Sequence, residues 1–148
     1  MLDFKKYSEV EEQLRLLVQH GFHIPRKDMP QIRSDLVPKY LDFLSEHGIK
    51  YTKKKIEVSN LKSTQGELDI NKVIPMMDKD NEANDKPIIV SEDHYVLDGH
   101  HRFAALYCKD KKLTLTCYVI GLKIQDLLNI TKEFDLVFFK ALQEKNNS

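Results

Sequence analysis

Between Tyr95 and Tyr107 the chain reads YVLDGHHRFAALY, and its hydrophobic period changes partway through. The flank before Asp98 is a short apolar run of strand type, whereas Phe103, Leu106 and Tyr107 recur at helical spacing. A strand therefore runs into a helix, and Asp98, Gly99, His100, His101 and Arg102 sit at the joint. The spacing predicts a helix from Gly99 or His100 to about Lys109, with Phe103, Leu106 and Tyr107 supplying its buried face. The first amides of a helix lack partners within it and carry the positive end of its dipole, so such a joint attracts anions.

Each residue at the joint has a reading in those terms. Gly99 is expected to let a ligand approach the backbone. Arg102 offers a planar fork for phosphate oxygens and His101 a second donor. Asp98 would repel phosphate unless it holds a cation, caps the helix or pairs with a histidine. The plain alternative makes Asp98 the N-cap, Arg102 a surface ion pair and the histidines polar packing. Two adjacent helical histidines point about a quarter-turn apart, which works against one metal ion held by both.

A chain of 148 residues, 41% hydrophobic and 31% charged, is expected to build a single soluble core. Its formal net charge of +0 supplies no global field to draw it to nucleic acid or membrane. Cys108 and Cys117 are its only cysteines, which points away from a disulfide framework and towards a cytoplasmic setting. No segment reads as a signal peptide or a membrane span, so no membrane partner is expected.

Before the joint, Ser8 and Glu11 read as a capping box opening a helix that carries Val10, Leu14, Leu17 and Val18 and stops at a left-handed Gly21. A second helix is predicted from Leu36 to His47, ending at Gly48, with the two-proline stretch IPRKDMPQIR as an ordered loop between them. Lys55 to Leu61 alternates like a strand, and ELDINKVIPMMD reads as a helix burying Leu68, Val73 and Met77, with Pro75 awkward inside it. Asp78 to Lys86 reads as an exposed charged loop, and PIIV with HYVL as a hairpin turning at Ser91 to Asp93. A strand over LTLTCYVIG and closing helices over KIQDLLNI and KEFDLVFFKALQEK complete the chain. This order predicts an α+β fold: a compact mixed-sheet domain over residues 51–148, preceded by a small helical appendage over 1–50.

VLDGHHRFAAL resembles the phosphate-binding box of the ParB/sulfiredoxin superfamily, in which a strand leads into G-x-x-R and a helix of small and apolar residues. LKSTQGELDINKV resembles the first box of that superfamily, and its LDINKV run is similar to the sulfiredoxin pattern L-D-x-x-K-V. The resemblance covers about Lys55 to Val119. It implies a ParB/sulfiredoxin-like mixed sheet, with Lys72, His101 and Arg102 on nucleotide phosphate and His100 where sulfiredoxin has its catalytic cysteine. Without that thiolate, sulfinic acid reduction has no nucleophile, and Cys108 lies two turns too far along. The versions left open are a nucleotide-binding switch, a ParB-like nuclease and a small kinase similar to the free serine kinases, and the box is of the kind found in phage and plasmid proteins.

Phosphoryl transfer needs charge neutralisation, positioning and a base. Lys72, Gly99, His101 and Arg102, with Lys62, Thr64 and Gln65 of the first box, are the nucleotide-binding candidates. Glu67, His100 and Asp98 are the candidate bases, and Asp98 is the candidate ligand for Mg²⁺ accompanying ATP or another NTP. Thr64 and Glu67 read equally well as a plain capping box. The acceptor would be a small molecule or a protein. The alternative is a ParB-like DNA-binding or DNA-cleaving protein whose same residues grip a backbone phosphate, with a non-catalytic nucleotide module as a third reading. The lysines Lys50, Lys53, Lys54, Lys55 and Lys62 invite a nucleic-acid reading, but acidic residues elsewhere balance them and protection of a strand edge explains them about as well.

Overall fold

The computed structural model describes residues 4–78 and 86–134, and the backbone of 138–139. Helix α1 spans Phe4–Gln19 and buries Val10, Leu14 and Leu17, the stripe that the spacing predicts. It is already formed at Phe4, so Ser8 is an exposed interior residue and no capping box forms there. Half-buried Tyr7 continues the stripe one turn upstream, and the longer apolar face outweighs the local cap signal. Gly21 is not left-handed either; the positive φ, 66°, falls at His23. Gly21 is small for a different reason: a Cβ there would run into the Ser63 carbonyl oxygen, which accepts the Phe22 N–H at 2.9 Å.

The loop that follows contains the two-residue strand β1, Pro30–Gln31, between single 3-10 turns at Arg26–Asp28 and Ser34–Leu36. Helix α2, Val37–Glu46, buries Tyr40, Leu41 and Leu44 and ends at Gly48, whose φ of 74° is the expected left-handed stop. Strand β2 runs Tyr51–Glu57, four residues earlier than the alternation placed it. All seven residues pair antiparallel with the strand β6, Thr114–Ile120. The lysines hid its start, because on an exposed edge both faces are polar. A 3-10 turn, Val58–Asn60, replaces the predicted end of that strand and leads to β3, Lys62–Ser63.

Helix α3, Ile70–Asp78, buries Val73 and Met77 and carries Pro75 inside it, whereas Leu68 precedes it and is half-buried. Asp69 caps it, its carboxylate accepting the Asn71 N–H at 2.9 Å, so Thr64 and Glu67 do not form its capping box. Strands β4, Ile88–Ser91, and β5, Tyr95–Asp98, form the predicted hairpin, and α4, His100–Lys109, has the predicted bounds. Helix α5 covers Ile124–Thr131. Of the last predicted helix, Phe138–Phe139 instead form the strand β7, paired antiparallel with β1; residues 135–137 and 140–148 lie outside the described residues, as do 79–85 of the predicted charged loop.

The main sheet is mixed, in the order β2-β6-β4-β5-β3, with β4–β6 and β3–β5 parallel. With helices on both of its faces the protein is α+β. One face, with Ile88, Val90, Val96, Leu115 and Cys117, packs against α1, α3 and α4. The other, with Ile89, Leu97 and Ile120, packs against Met29, Ile32, α2 and α5. Residues 4–50, expected as an appendage, therefore contribute buried side chains on both sides of the sheet.

Candidate functional site

The joint between β5 and α4 has the predicted form. Gly99 occupies the N-cap with φ 100° and ψ 26°, a left-handed conformation that side chains resist. A Cβ there would also strike the Ile88 side chain. The space beside Gly99 is thus filled by the neighbouring strand, and its glycine serves the turn itself, not the approach of a ligand from that direction. The Phe103 N–H closes the first turn on the Gly99 carbonyl at 3.0 Å.

The two histidines have the most informative geometry. His100 is 5% exposed, and its Nε2 accepts the backbone N–H groups of both Thr64 and Gln65 at 3.1 Å. An acceptor nitrogen carries no proton, so this imidazole is neutral; burial, with a lesser push from neighbouring His101, lowers its pKa to about 3. His101 stands a quarter-turn away, and its Nε2 accepts the Asp69 N–H, also at 3.1 Å. The same angular offset that argued against a shared metal lets each ring hold a different point of the first box. His100 holds the turn after β3 and His101 holds the cap of α3, so the two sequence boxes are joined by side-chain to backbone hydrogen bonds.

Arg102 is half-buried, and its Nη1 donates to the Lys86 carbonyl at 2.5 Å. Burial lowers its pKa and the charge of Asp98 raises it; the guanidinium stays charged in either case. Asp98, Gly99, His100, His101 and Arg102 all line one cleft of about 560 Å³, together with Gln65 and Met76. Gln65 is 5% exposed and donates its side-chain amide to the Glu67 carbonyl, while Ser63 Oγ donates to the Gln65 carbonyl at 2.9 Å.

The other first-box candidates do not line the cleft. Thr64 is fully buried, with its hydroxyl oxygen unpaired, and Glu67 is exposed. Lys62 is exposed, with Nζ 4.6 Å from the centre of the Tyr95 ring. Lys72 is half-buried in the first turn of α3, one turn before Met76, which lines the cleft while Lys72 does not.

Sequence reasoning missed the opposite wall. It is the segment from Met29 to Asp35, which presents Gln31, Arg33, Ser34 and Asp35. Arg33 holds Asp35 through two hydrogen bonds, 3.1 and 2.8 Å, and both side chains are about 60% exposed. The available signal was the pair Pro25 and Pro30, which fixes the backbone of a loop dense in polar side chains. Of the charged groups lining the cleft, Arg33 and Arg102 are balanced by Asp35 and Asp98. Among the described residues no three His, Cys, Asp or Glu side chains cluster to hold a metal, and no helix is long and apolar enough to cross a membrane. A divalent ion here would rest on Asp98 and on oxygens of its ligand, as Mg²⁺ commonly does. No family model, no curated protein and no solved structure matches the chain.

Proposed function

We propose that this cleft binds a nucleoside phosphate and supports phosphoryl transfer, as a small Mg²⁺-dependent kinase or NTP hydrolase of ParB/sulfiredoxin-like type acting in the cytoplasm, with a phage- or plasmid-borne origin. The observation that carries the reading is Arg102. Its half-buried guanidinium lines a cleft of about 560 Å³ at the N-terminus of a ten-residue helix. Cleft, fork and helix amides together match a phosphate group attached to a small molecule. The joining of the two boxes by His100 and His101 supports the superfamily reading, because both boxes then shape one cavity.

Arg102 is the main phosphate cation in this proposal, aided by the first-turn amides of α4 and by Lys72 along α3. Gln65 is placed for a ribose or acceptor hydroxyl. Asp98 becomes the favoured base or Mg²⁺ ligand, because Glu67 lies outside the cleft and His100 has its Nε2 committed. Bound Mg²⁺ would neutralise phosphate charge. The acceptor, a small molecule or a protein hydroxyl, would enter along the Gln31–Asp35 wall. The balanced charges of the cleft favour a metal–nucleotide complex over the backbone of DNA, which asks for net positive charge.

Calorimetric titration with ATP, ADP, GTP and CTP, with and without Mg²⁺, tests the reading. Binding of at least one nucleotide, weakened in Arg102→Ala, is the expected result. No binding of any nucleotide by the folded protein would refute it.

A further inference from the structure

We propose that the β2–β6 end of the sheet is a binding surface for single-stranded nucleic acid, formed by Tyr51, Lys53 and Lys55 of β2 with Tyr118 of β6. Along a strand, alternate residues share a face. The register pairs Lys53 with Tyr118, Lys55 with Thr116 and Tyr51 with Ile120, so these side chains lie together on one side of the sheet. Tyr51 precedes the lysine run within β2 itself, and the ladder supplies a second aromatic, Tyr118, from the neighbouring strand. The Tyr51 and Tyr118 rings are 5.9 Å apart and nearly perpendicular, and Lys53 Nζ lies 5.7 Å from the Tyr118 centroid. Tyr51 is 39% exposed, Lys53 and Lys55 are exposed, and Tyr118 is half-buried, packed against the core on its inner side.

Lysines alone are explained by protection of an edge strand. An exposed tyrosine beside them, with a second, half-buried ring against it, is not, since protection needs no aromatic surface. Aromatic faces with flanking cations are what unstacked bases and their phosphates require. Glu57 is the acidic residue on this face, half-buried at the far end of the strand opposite Thr114. The surface is separate from the cleft, because β4 stands between β6 and β5 and neither Tyr51, Lys53, Lys55 nor Tyr118 lines the cleft. It stands independently of the nucleotide reading.

Fluorescence anisotropy with labelled oligo(dT) and oligo(rU) tests it, using strands of about 15 nucleotides, near the upper site size of one single-strand module. Binding of either strand is expected, with a log–log salt slope of roughly −1.4 from two lysine–phosphate contacts. Lys53→Glu with Lys55→Glu should weaken it by about tenfold or more, and Tyr51→Ala by about tenfold for one lost stacked base. Lys54→Glu makes the same kind of charge change on the opposite face of the strand and should have little effect, as should Arg102→Ala. The proposal is overturned if neither strand binds at low salt, if Lys54→Glu is as damaging as the double reversal, or if Tyr51→Ala is silent while duplex DNA and anionic vesicles bind equally well. Far-ultraviolet dichroism of each variant confirms that the fold is retained.

Discussion

The two walls of the cleft are built on opposite principles. On the α4 side the polar groups are spent on the protein itself: His100 on two amides, His101 on a third, and an Arg102 nitrogen on the Lys86 carbonyl. On the side of residues 29–35, Arg33 and Asp35 hold each other in the open, with about 60% of each side chain exposed. The contrast separates two jobs that a row of polar residues can do. A buried imidazole that accepts backbone amides sets geometry, whereas an exposed pair in a cleft can exchange its internal bonds for a ligand at little cost.

Removing His100 should break the contrast most severely. His100→Ala would leave two buried amides without an acceptor and open a cavity, costing about 3 kcal/mol in urea unfolding. His100→Gln, which keeps an acceptor, should recover part of that loss. Acid gives a second view of the same ring. Its folded pKa of about 3 lies below the ordinary histidine value, so its neutral form stabilises the fold above the unfolded pKa of about 6.5. That stability is lost as pH falls from about 6.5 towards 3, by up to about 1.4 kcal/mol per unit, because the unfolded chain takes the proton first. The pH dependence of unfolding should therefore be shallower by up to one proton in His100→Gln. Equal slopes would mean that His100 is not held neutral.

Arg102→Ala is the next largest effect, and it falls on binding. Loss of a charge-assisted fork should weaken nucleotide affinity by about 1.5–3 kcal/mol in calorimetry, with a smaller change in the unfolding midpoint. If stability falls and affinity does not, Arg102 belongs wholly to the positioning wall. His101→Ala should cost about 1 kcal/mol of stability for one orphaned amide, partly restored by His101→Gln. An amide chemical-shift change confined to Asp69 and the start of α3 would confirm which bond was lost.

The sequence carried the joint almost whole, because a switch of hydrophobic period and a glycine between them mark a strand–helix turn locally. The bounds of α4 and the β4–β5 hairpin followed from the same kind of signal. The use of the histidines was not legible. Their partners are backbone amides of Thr64, Gln65 and Asp69, and an amide leaves no mark on residue identity. Glu67 and Thr64 misled for the related reason that a capping box is a local pattern, whereas Asp69 takes the cap while its own amide is held by His101 from another element. Of the two tyrosines beside the lysines of β2, Tyr51 stood in plain sequence, whereas Tyr118 was hidden by distance along the chain, since only the β2–β6 register brings it to Lys53. The wall at residues 29–35 faces the cleft through tertiary packing that a proline-bounded loop does not announce.

The smallest effect sharpens the comparison most. Arg33→Ala removes an exposed ion pair, and such pairs contribute roughly 0–1 kcal/mol, so the unfolding free energy should move by about 0.5 kcal/mol or less. If the 29–35 wall recognises a ligand, however, the same substitution should change how the protein treats an acceptor. Affinity for the nucleotide alone should stay within about threefold, while turnover with acceptor should show a raised KM at unchanged kcat, the mark of lost uniform binding. Asp35→Asn should act in the opposite direction on an anionic acceptor, lowering its KM, because it loosens Arg33 from its partner and removes the negative charge beside it. A variant that is silent in both assays would make this wall a boundary of the cleft and nothing more, and would leave Arg102 and the turn at Gly99 to carry recognition alone.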